Sequence, residues 1–273
     1  MSQELERSPI TKRPPLGRIH ISPCGVVATC VKADDLPTVM FPENDTETDA
    51  PMEQDERDLR TEIVARCREL NSSGINQGTS GNISARFKDR MLISPSATPY
   101  DVMTAEMIVS VQLDDDSGAF DGPLPPSTEW RFHQALLRGR DDAHAVVHAH
   151  PAYCTALAMA RKEIPAGHYM VAAFGGETVR CAGYATYGTA ELAELTMQAM
   201  EDRTACLLAN HGMVVVGESL AKAMWRAIEL EALAKQYCLS LAVGGPVLLN
   251  DTEIAETLAG FSNYGLREET PDH

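Results

Sequence analysis

Apolar residues recur every three or four positions in several parts of the chain, the spacing that places them on one face of an α-helix. The clearest case is Leu59, Ile63, Cys67 and Leu70, and the small residues at 72–74 predict the end of this helix. Other helices are predicted after Ser127 and over residues 152–161, 190–202 and 219–243. These segments form the helical part of the predicted fold.

Short runs of apolar and β-branched residues between these helices predict strands. The runs lie at 82–87, 91–94, 108–113, 145–151 and 170–174, and another apolar run ends at His211. Strands and helices are mixed without strict alternation. The pattern therefore indicates one layered α/β domain around a sheet that is not simply parallel.

Residues 1–55 have a different composition from the rest of the chain. They contain seven prolines, and the stretch from Ala33 to Glu56 has nine acidic residues and no basic one. Such a segment buries little apolar surface and repels itself. We predict a disordered extension over 1–55, with a short strand at 25–31, followed by a folded domain over 56–273.

Charge, hydrophobicity and cysteine usage indicate which partners and which cell compartment the protein has. The formal net charge is −16 at pH 7, which disfavours nucleic acid and anionic membrane surfaces. No apolar run approaches the roughly 20 residues that span a bilayer, and the first residues lack a secretory signal pattern. Seven cysteines occur without any Cys-x-x-Cys spacing. These features predict a cytoplasmic protein.

Three histidines form a candidate metal site. His148 and His150 lie two residues apart on a predicted strand, so both side chains point to the same face. This pair alone is equally compatible with two hydrogen-bonded core histidines. His211 lies between an apolar run and a glycine, where a polar residue has little packing role, and it favours the metal. Three neutral imidazoles with an open fourth position are the coordination expected of a catalytic zinc. The other histidines are interpreted as structural or solvent-facing: His20, His133, His144, His168 and His273.

Three small-residue segments have the character of an anion-binding site. They are 76–84, 93–97 and 127–128, the last at the opening of the helix predicted after Ser127. Glycines let main-chain N–H groups approach a ligand, and a helix N-terminus attracts anions. Each segment alone is more often an ordinary turn, and none has the lysine of a nucleotide-binding loop. Together they favour a small phosphorylated metabolite.

Glu129 follows the last of these segments and is a candidate acid/base. A glutamate in the first turn of a helix is often only a partner of the helix dipole. Here the loop that would hold the phosphate also delivers the carboxylate. A metal, a base and a phosphate site together suit proton abstraction next to a carbonyl that the metal holds.

The chain from about Asp55 to Glu269 resembles the class II aldolase/adducin family. The matching segments are 76–82, 127–133, 148–150, 168–170, 184–186 and 263–267, in order along nearly the whole predicted domain. The resemblance implies a single three-layer α/β domain with a central, largely antiparallel sheet flanked by helices. It also implies one zinc per subunit, held by His148, His150 and His211, with Glu129 as a ligand of the free enzyme that becomes the acid/base.

The resemblance implies further site residues. Phosphate contacts would come from Thr79, Asn82, Ser96, Ser127 and Thr128, in a site that includes Ala97. The protein would be a homotetramer with active sites between subunits. Tyr169 would come from a neighbouring subunit, and Tyr264 from a mobile C-terminal tail.

The activity implied is reversible, zinc-dependent cleavage of a ketose 1-phosphate, such as L-fuculose 1-phosphate, to dihydroxyacetone phosphate and a small aldehyde such as lactaldehyde. Other sugar-phosphate reactions of the family remain open: cleavage of 5-deoxyribulose or methylthioribulose 1-phosphate, 4-epimerisation of a ketopentose phosphate, and decarboxylation. The three intact histidines disfavour a non-enzymatic scaffold of the adducin type.

The chain departs from the family pattern at two positions. Ala97 stands where the aldolases usually have glycine, so the loop is unstrained only if the φ angle there is negative. Tyr187 replaces a phenylalanine near the aldehyde end of the substrate. This second change bears on the identity of the aldehyde more than on the reaction.

Overall fold

The structure is a computed structural model that describes residues 52–261. The predicted extension with its strand at 25–31 lies outside the described residues, apart from its last four positions. Tyr264 and the predicted C-terminal tail also lie outside them. The domain boundary at 55/56 stays a prediction.

Six α-helices lie within the described range. They are α1 (Gln54–Ser72), α2 (Trp130–Gly139), α3 (Ala152–Met159), α4 (Ala190–Ala199), α5 (Leu220–Ala242) and α6 (Asp251–Phe261). The first five match the predicted helices, whereas α6 was not predicted. Gly244 and Gly245 follow α5 with φ angles of 113° and 88°, as expected of a glycine-terminated helix. Helix α2 begins at Trp130, so Glu129 immediately precedes the helix rather than lying in its first turn.

Eight strands form one sheet. They are β1 (Asn82–Phe87), β2 (Arg90–Ile93), β3 (Val109–Gln112), β4 (Phe120–Asp121), β5 (Ala145–Ala149), β6 (Cys181–Ala182), β7 (Ala205–Leu208) and β8 (Gly212–Gly217). Their order is β4-β3-β2-β1-β5-β8-β7-β6, and every pair is antiparallel except β6 with β7. The largely antiparallel sheet implied by the family resemblance is confirmed.

Two predicted strands differ from the structure. Residues 170–174 were predicted as a strand, but they belong to a 3-10 helix, Tyr169–Phe174. A short apolar run does not distinguish a buried helical turn from a strand. The side chain of His168 accepts a hydrogen bond from the main-chain N–H of Met170 and so favours the turn. The apolar run around His211 holds two strands, β7 and β8, with the histidine in the hairpin between them.

A separate apolar core covers each face of the sheet. One contains residues of α1, α3 and α5, and the other contains residues of α2 and α4. Strand β5 contributes to both, because Val147 faces the first core and Val146 faces the second. His148 therefore points toward α2. Within the described range, no helix combines the length and apolar character needed to cross a bilayer.

Candidate active site and metal centre

Four side chains from three parts of the fold converge at one end of β5. Each of Glu129, His148, His150 and His211 offers one ligand atom, and these atoms lie within 4.8 Å of one another. Glu129 comes from the start of α2, the histidine pair from the end of β5, and His211 from the β7–β8 hairpin. The structure thus brings together the four metal-ligand candidates of the sequence.

Hydrogen bonding fixes the orientation of the His148 ring. Its Nδ1 lies 2.9 Å from the main-chain carbonyl oxygen of Met213. A carbonyl oxygen only accepts, so Nδ1 carries the ring proton and Nε2 presents a lone pair. That Nε2 lies 2.9 Å from Nε2 of His150 and 3.1 Å from Oε2 of Glu129. Electron pairs this close repel one another unless a proton or a cation lies among them. The donor set therefore fits a divalent metal.

Glu129 is buried, and one of its oxygens has no hydrogen-bond donor. Oε2 accepts a hydrogen bond from Nδ2 of Asn82 at 3.0 Å, whereas Oε1 has no such partner among the described residues. Oε1 lies 3.1 Å from Nε2 of His211, but not in a hydrogen-bonding direction. A buried carboxylate oxygen without a donor is costly. A bound cation would satisfy it.

Charge and burial favour the ligand forms of these groups. Burial alone would raise the pKa of Glu129, but the neighbouring His148 and His211 imidazoles more than offset this effect and hold the pKa of that carboxyl well below its usual range. Burial and the adjacent imidazoles lower the pKa of His150 to about 3. At neutral pH the carboxylate is ionised and the His150 ring is neutral, and these are the forms that bind a metal.

The hairpin that carries His211 is held against the neighbouring helix. Leu208 and Gly212 pair across it, and Asn210 at its tip has a φ of 56°. Asparagine tolerates this left-handed conformation better than most residues. The side-chain oxygen of Asn210 accepts a hydrogen bond from Nε of Arg161 at 3.0 Å. The position of His211 thus depends on the strand pairing at the base of the hairpin and on the hydrogen bond from Arg161 at its tip.

A cavity of about 410 Å³ opens directly onto these ligands. Glu129, His150 and His211 line it, while His148 lies fully buried behind them. All six predicted phosphate-site residues line the same cavity: Thr79, Asn82, Ser96, Ala97, Ser127 and Thr128. The acid/base candidate and the anion-binding loops therefore line the same cavity.

Main-chain hydrogen bonds join the second and third anion-binding segments. The N–H of Ser96 donates to the carbonyl oxygen of Pro125, and the N–H of Ser127 donates to the carbonyl oxygen of Ser94. The first segment is fixed from the other side, where the Tyr100 hydroxyl donates to the carbonyl oxygen of Gly81. The lining of the cavity is therefore preorganised.

Ala97 adopts the conformation in which an alanine is strained. Its φ angle is 52°, inside the left-handed region. An L-residue with a Cβ atom loses about 1–2 kcal/mol there, whereas glycine does not. The loop keeps the shape that a glycine would give it, at the expense of local strain.

Of the two predicted tyrosines, Tyr169 is the one within the described residues, and it does not reach this cavity. Tyr169 is 44% exposed and does not line it, and its ring lies 4.7 Å from the ring of His168. Tyr264 lies outside the described residues. The cavity is instead lined at its exposed side by Tyr184 and Tyr187. The family resemblance had associated Tyr187 with the aldehyde end of the substrate, whereas Tyr184 was noted as part of a matching segment without a role in the site.

His133 has a setting that the sequence did not reveal. It is fully buried, which rules out the solvent-facing alternative, and it contacts Asn82 and Ser84 on β1. A signal was present in the spacing: His133 follows Glu129 by four residues, and Asn82 and Ser84 lie two apart on a strand. The helical spacing and the strand spacing together place these four polar residues side by side between α2 and the sheet.

Known proteins share this architecture. Residues 61–238 match the family profile described as class II aldolase and adducin N-terminal domain. The L-fuculose phosphate aldolase of Escherichia coli (strain K12) is 46% identical over 212 residues, which cover 77% of this chain and 97% of that protein. The 5-methylthioribulose-1-phosphate/5-deoxyribulose-1-phosphate aldolase of Rhodospirillum rubrum is 42% identical over 213 residues, which cover 78% of this chain and 95% of that protein.

A solved structure of an L-fuculose 1-phosphate aldolase superposes with a TM-score of 0.72 at 38% identity, covering 75% of this chain and 96% of that chain. The chain therefore belongs to the class II aldolase and adducin family. Its enzyme class is that of the class II aldolases, which are aldehyde-lyases.

Proposed function

We propose that this enzyme reversibly cleaves a ketose 1-phosphate to dihydroxyacetone phosphate and a small aldehyde. L-fuculose 1-phosphate, which would yield lactaldehyde, is the first substrate to test. The observation that carries the proposal is the single cavity lined by the Glu129 carboxylate, two ligand imidazoles and the anion-binding loops. The names of the relatives support a sugar phosphate as the substrate.

The phosphate would be bound by hydroxyl, amide and main-chain groups. No lysine or arginine is among the described residues that line the cavity, so a phosphate would find neutral donors there. The donors would be Thr79, Asn82, Ser96, Ser127 and Thr128, with Ala97 shaping the loop. Preorganised neutral donors can stabilise an oxyanion because they need not reorient when it binds.

The metal would be held by His148, His150 and His211, with Glu129 as the fourth ligand before substrate binds. Three imidazole nitrogens and one carboxylate oxygen are a donor set that zinc accepts in tetrahedral sites, and we propose one zinc per subunit. When bound, the metal supplies a Lewis acid that polarises a carbonyl group.

Glu129 would move the proton at the hydroxymethyl carbon of dihydroxyacetone phosphate, the carbon that is joined to the aldehyde in the ketose 1-phosphate. It would remove that proton in the condensation direction and return it after cleavage. Its place beside the metal-ligand histidines supports this role, because that carbon is bonded directly to the carbonyl group that the metal would polarise. Oε1, which has no hydrogen-bond donor among the described residues, is the oxygen that would carry the proton.

The proton on the aldehyde oxygen would be handled by Tyr169 of a neighbouring subunit in a homotetramer, with Tyr264 completing the site. The exposure of Tyr169 and its position outside its own cavity support this arrangement. Subunit mixing tests it. Glu129→Gln and Tyr169→Phe proteins, each impaired alone, should regain activity after dissociation and reassembly together, because hybrid sites would contain both native residues. A mixture no more active than its components would contradict a shared site.

The aldehyde product depends on which ketose 1-phosphate the enzyme cleaves. Methylthioribulose and deoxyribulose 1-phosphates remain alternatives, since the Rhodospirillum rubrum relative is nearly as similar as the Escherichia coli one. Tyr184 and Tyr187 are exposed and line the cavity, and this supports a role for them at the aldehyde end of the substrate.

The deciding experiment measures release of dihydroxyacetone phosphate by the purified full-length protein from L-fuculose, 5-methylthioribulose and 5-deoxyribulose 1-phosphates, with bound zinc quantified in the same sample. Release should stop on chelation and return with zinc. His150→Ala should abolish it, whereas His144→Ala, which changes an exposed histidine just before β5, should not. Stoichiometric zinc without release from any of the three substrates would redirect the assignment toward epimerisation or decarboxylation.

A further inference from the structure

A chain of three hydrogen bonds runs from β1 to the carboxylate of Glu129 through His133. Oγ of Ser84 lies 2.7 Å from Nδ1 of His133, and Nε2 of the same ring lies 2.6 Å from Oδ1 of Asn82. Nδ2 of Asn82 then lies 3.0 Å from Oε2 of Glu129. The ring itself does not line the cavity.

The local geometry explains why these four residues meet. Asn82 and Ser84 project from the same face of β1, because residues two apart on a strand do so. Glu129 and His133 are four residues apart along the start of α2, which brings them to one side of the helix. Strand β1 also pairs with β5, and Asn82 lies opposite His148. The chain of bonds therefore lies against the metal-ligand cluster.

Only one arrangement of hydrogens satisfies all three bonds. The ionised carboxylate of Glu129 only accepts, so Asn82 directs its NH2 group toward it and its oxygen toward His133. That oxygen also only accepts, so the ring proton of His133 is on Nε2. Nδ1 then accepts from the hydroxyl of Ser84. Burial lowers the pKa of His133 to about 3, which leaves the ring with the single proton that this arrangement requires.

The arrangement has a consequence for Glu129. Without a donor at Nε2, the Asn82 amide could rotate by half a turn and place its oxygen against Oε2. Two facing oxygens repel, so the carboxylate would leave its position. With the donor present, Oε2 is held and Oε1 remains directed toward the other ligands.

We infer that His133 is a positioning residue, which fixes the Glu129 carboxylate through the amide of Asn82. The inference rests on the proposed role of Glu129 as a metal ligand and acid/base. The competing interpretation is that His133 only fills space between α2 and the sheet, and the following measurements separate the two.

The first measurement is the tautomer of His133 by nitrogen-15 NMR on metal-free, histidine-labelled protein, with the signals assigned from their loss in His133→Gln. We expect the proton on Nε2. A proton on Nδ1 would overturn the inference, because Nε2 could then not donate to Asn82.

The second measurement compares three variants. His133→Gln places an amide donor near the position of Nε2, whereas His133→Leu removes the donor. Gln134→Leu is the matched control, because Gln134 is the next residue of α2, is buried, and donates only to main-chain oxygens of Gln112 and Asp115. Each variant is loaded with cobalt(II) to record its absorption bands, and assayed with L-fuculose 1-phosphate.

His133→Leu should change the cobalt bands and lower kcat by about 10–100-fold with little change in KM, the usual effect of removing a group that orients a metal ligand. His133→Gln should restore most of both properties, and Gln134→Leu should lower stability alone. Wild-type bands and kcat in His133→Leu would overturn the inference, as would equal losses in all three variants. The NMR and cobalt measurements need no substrate, so failure of the proposed cleavage would be recognised separately.

Discussion

A Cβ atom on Gly212 would lie 2.6 Å from Cδ2 of His150. The same atom would lie 2.5 Å from the main-chain oxygen of Ala149. The β7–β8 hairpin can approach β5 this closely only because the residue after His211 has no side chain. The glycine thus has a part in the placement of two metal-ligand candidates.

Gly212→Ala should therefore weaken metal binding. The added methyl group must displace the His150 ring or separate the two strands, which costs about 1–3 kcal/mol in a well-packed region. Competition with a chromophoric chelator would measure the expected loss of zinc affinity, at least about tenfold. Gly183→Ala is the control, since its Cβ would meet only side-chain carbons of Leu195 at 3.4 Å. Equal zinc affinities in the two variants would contradict the expectation.

Replacing Glu129 by glutamine should separate metal binding from turnover. The amide keeps the shape of the carboxylate and an oxygen near the imidazoles, but it cannot take up a proton. We expect the metal content to remain near wild type and kcat to fall by about 10²–10⁴-fold. Zinc analysis and steady-state kinetics on the same preparation would check both values. Glu163→Gln, at an exposed position, serves as the control. Turnover within twofold of wild type would remove the acid/base role.

Ala97→Gly should stabilise the protein. Glycine relieves the strain at a φ of 52°, worth about 1–2 kcal/mol, and gives back about 0.4–1 kcal/mol through greater freedom of the unfolded chain. The free energy of unfolding in urea should rise by about 0.5–1 kcal/mol. The same substitution at Ala232, in the middle of α5, should lower it by about 0.5–1 kcal/mol. A loss of stability at both positions would show that the left-handed angle carries no strain.

His133 should make the protein sensitive to acid. Burial lowers its pKa from the usual 6.5 to about 3, so between these values the unfolded state binds a proton that the folded state does not. The contribution of His133 to the free energy of unfolding is therefore fully present above pH 6.5. It falls as the pH is lowered toward 3, by about 1.4 kcal/mol for each pH unit. Urea unfolding of metal-free protein between pH 4 and 7 should show a shallower dependence on pH in His133→Gln than in wild type, whereas Gln134→Leu, which changes no titratable group, should keep the wild-type dependence. Parallel curves for wild type and His133→Gln would refute the prediction.

Local sequence patterns predicted most of the helices and many of the strands. The helix at Gln54–Ser72 and the strand at Asn82–Phe87 follow from apolar spacing and from nearby turn residues. The segment at 170–174 did not follow, because four of its five residues are buried and a short apolar run has no period of its own. The prediction of a largely antiparallel sheet depended on the family resemblance, since pairing between β5 and β8 joins residues more than 60 positions apart.

The metal-ligand residues of the candidate site were predictable from local sequence, but the residues that support them were not. His148 and His150 are readable because two residues on a strand share a face, and the structure places their Nε2 atoms 2.9 Å apart. The spacing of four shows that His133 and Glu129 share one side of the helix, but the strand residues that His133 contacts were not predictable, because helical spacing does not indicate which strand residue a helix meets. Whether Ala97 adopts a positive φ angle was likewise left to the structure, since the sequence shows only which residue stands there.

The four metal-ligand candidates come from a helix start, a central strand and a hairpin, at positions spread over more than 80 residues of the chain. An ion held by all four would act as a crosslink between layers of the fold, and it would close long loops that the unfolded chain must otherwise close at an entropic cost. Loading with metal would then be a late event in folding, after the hairpin has docked on the sheet. The resistance of the purified enzyme to heat would follow its metal content as well as its sequence.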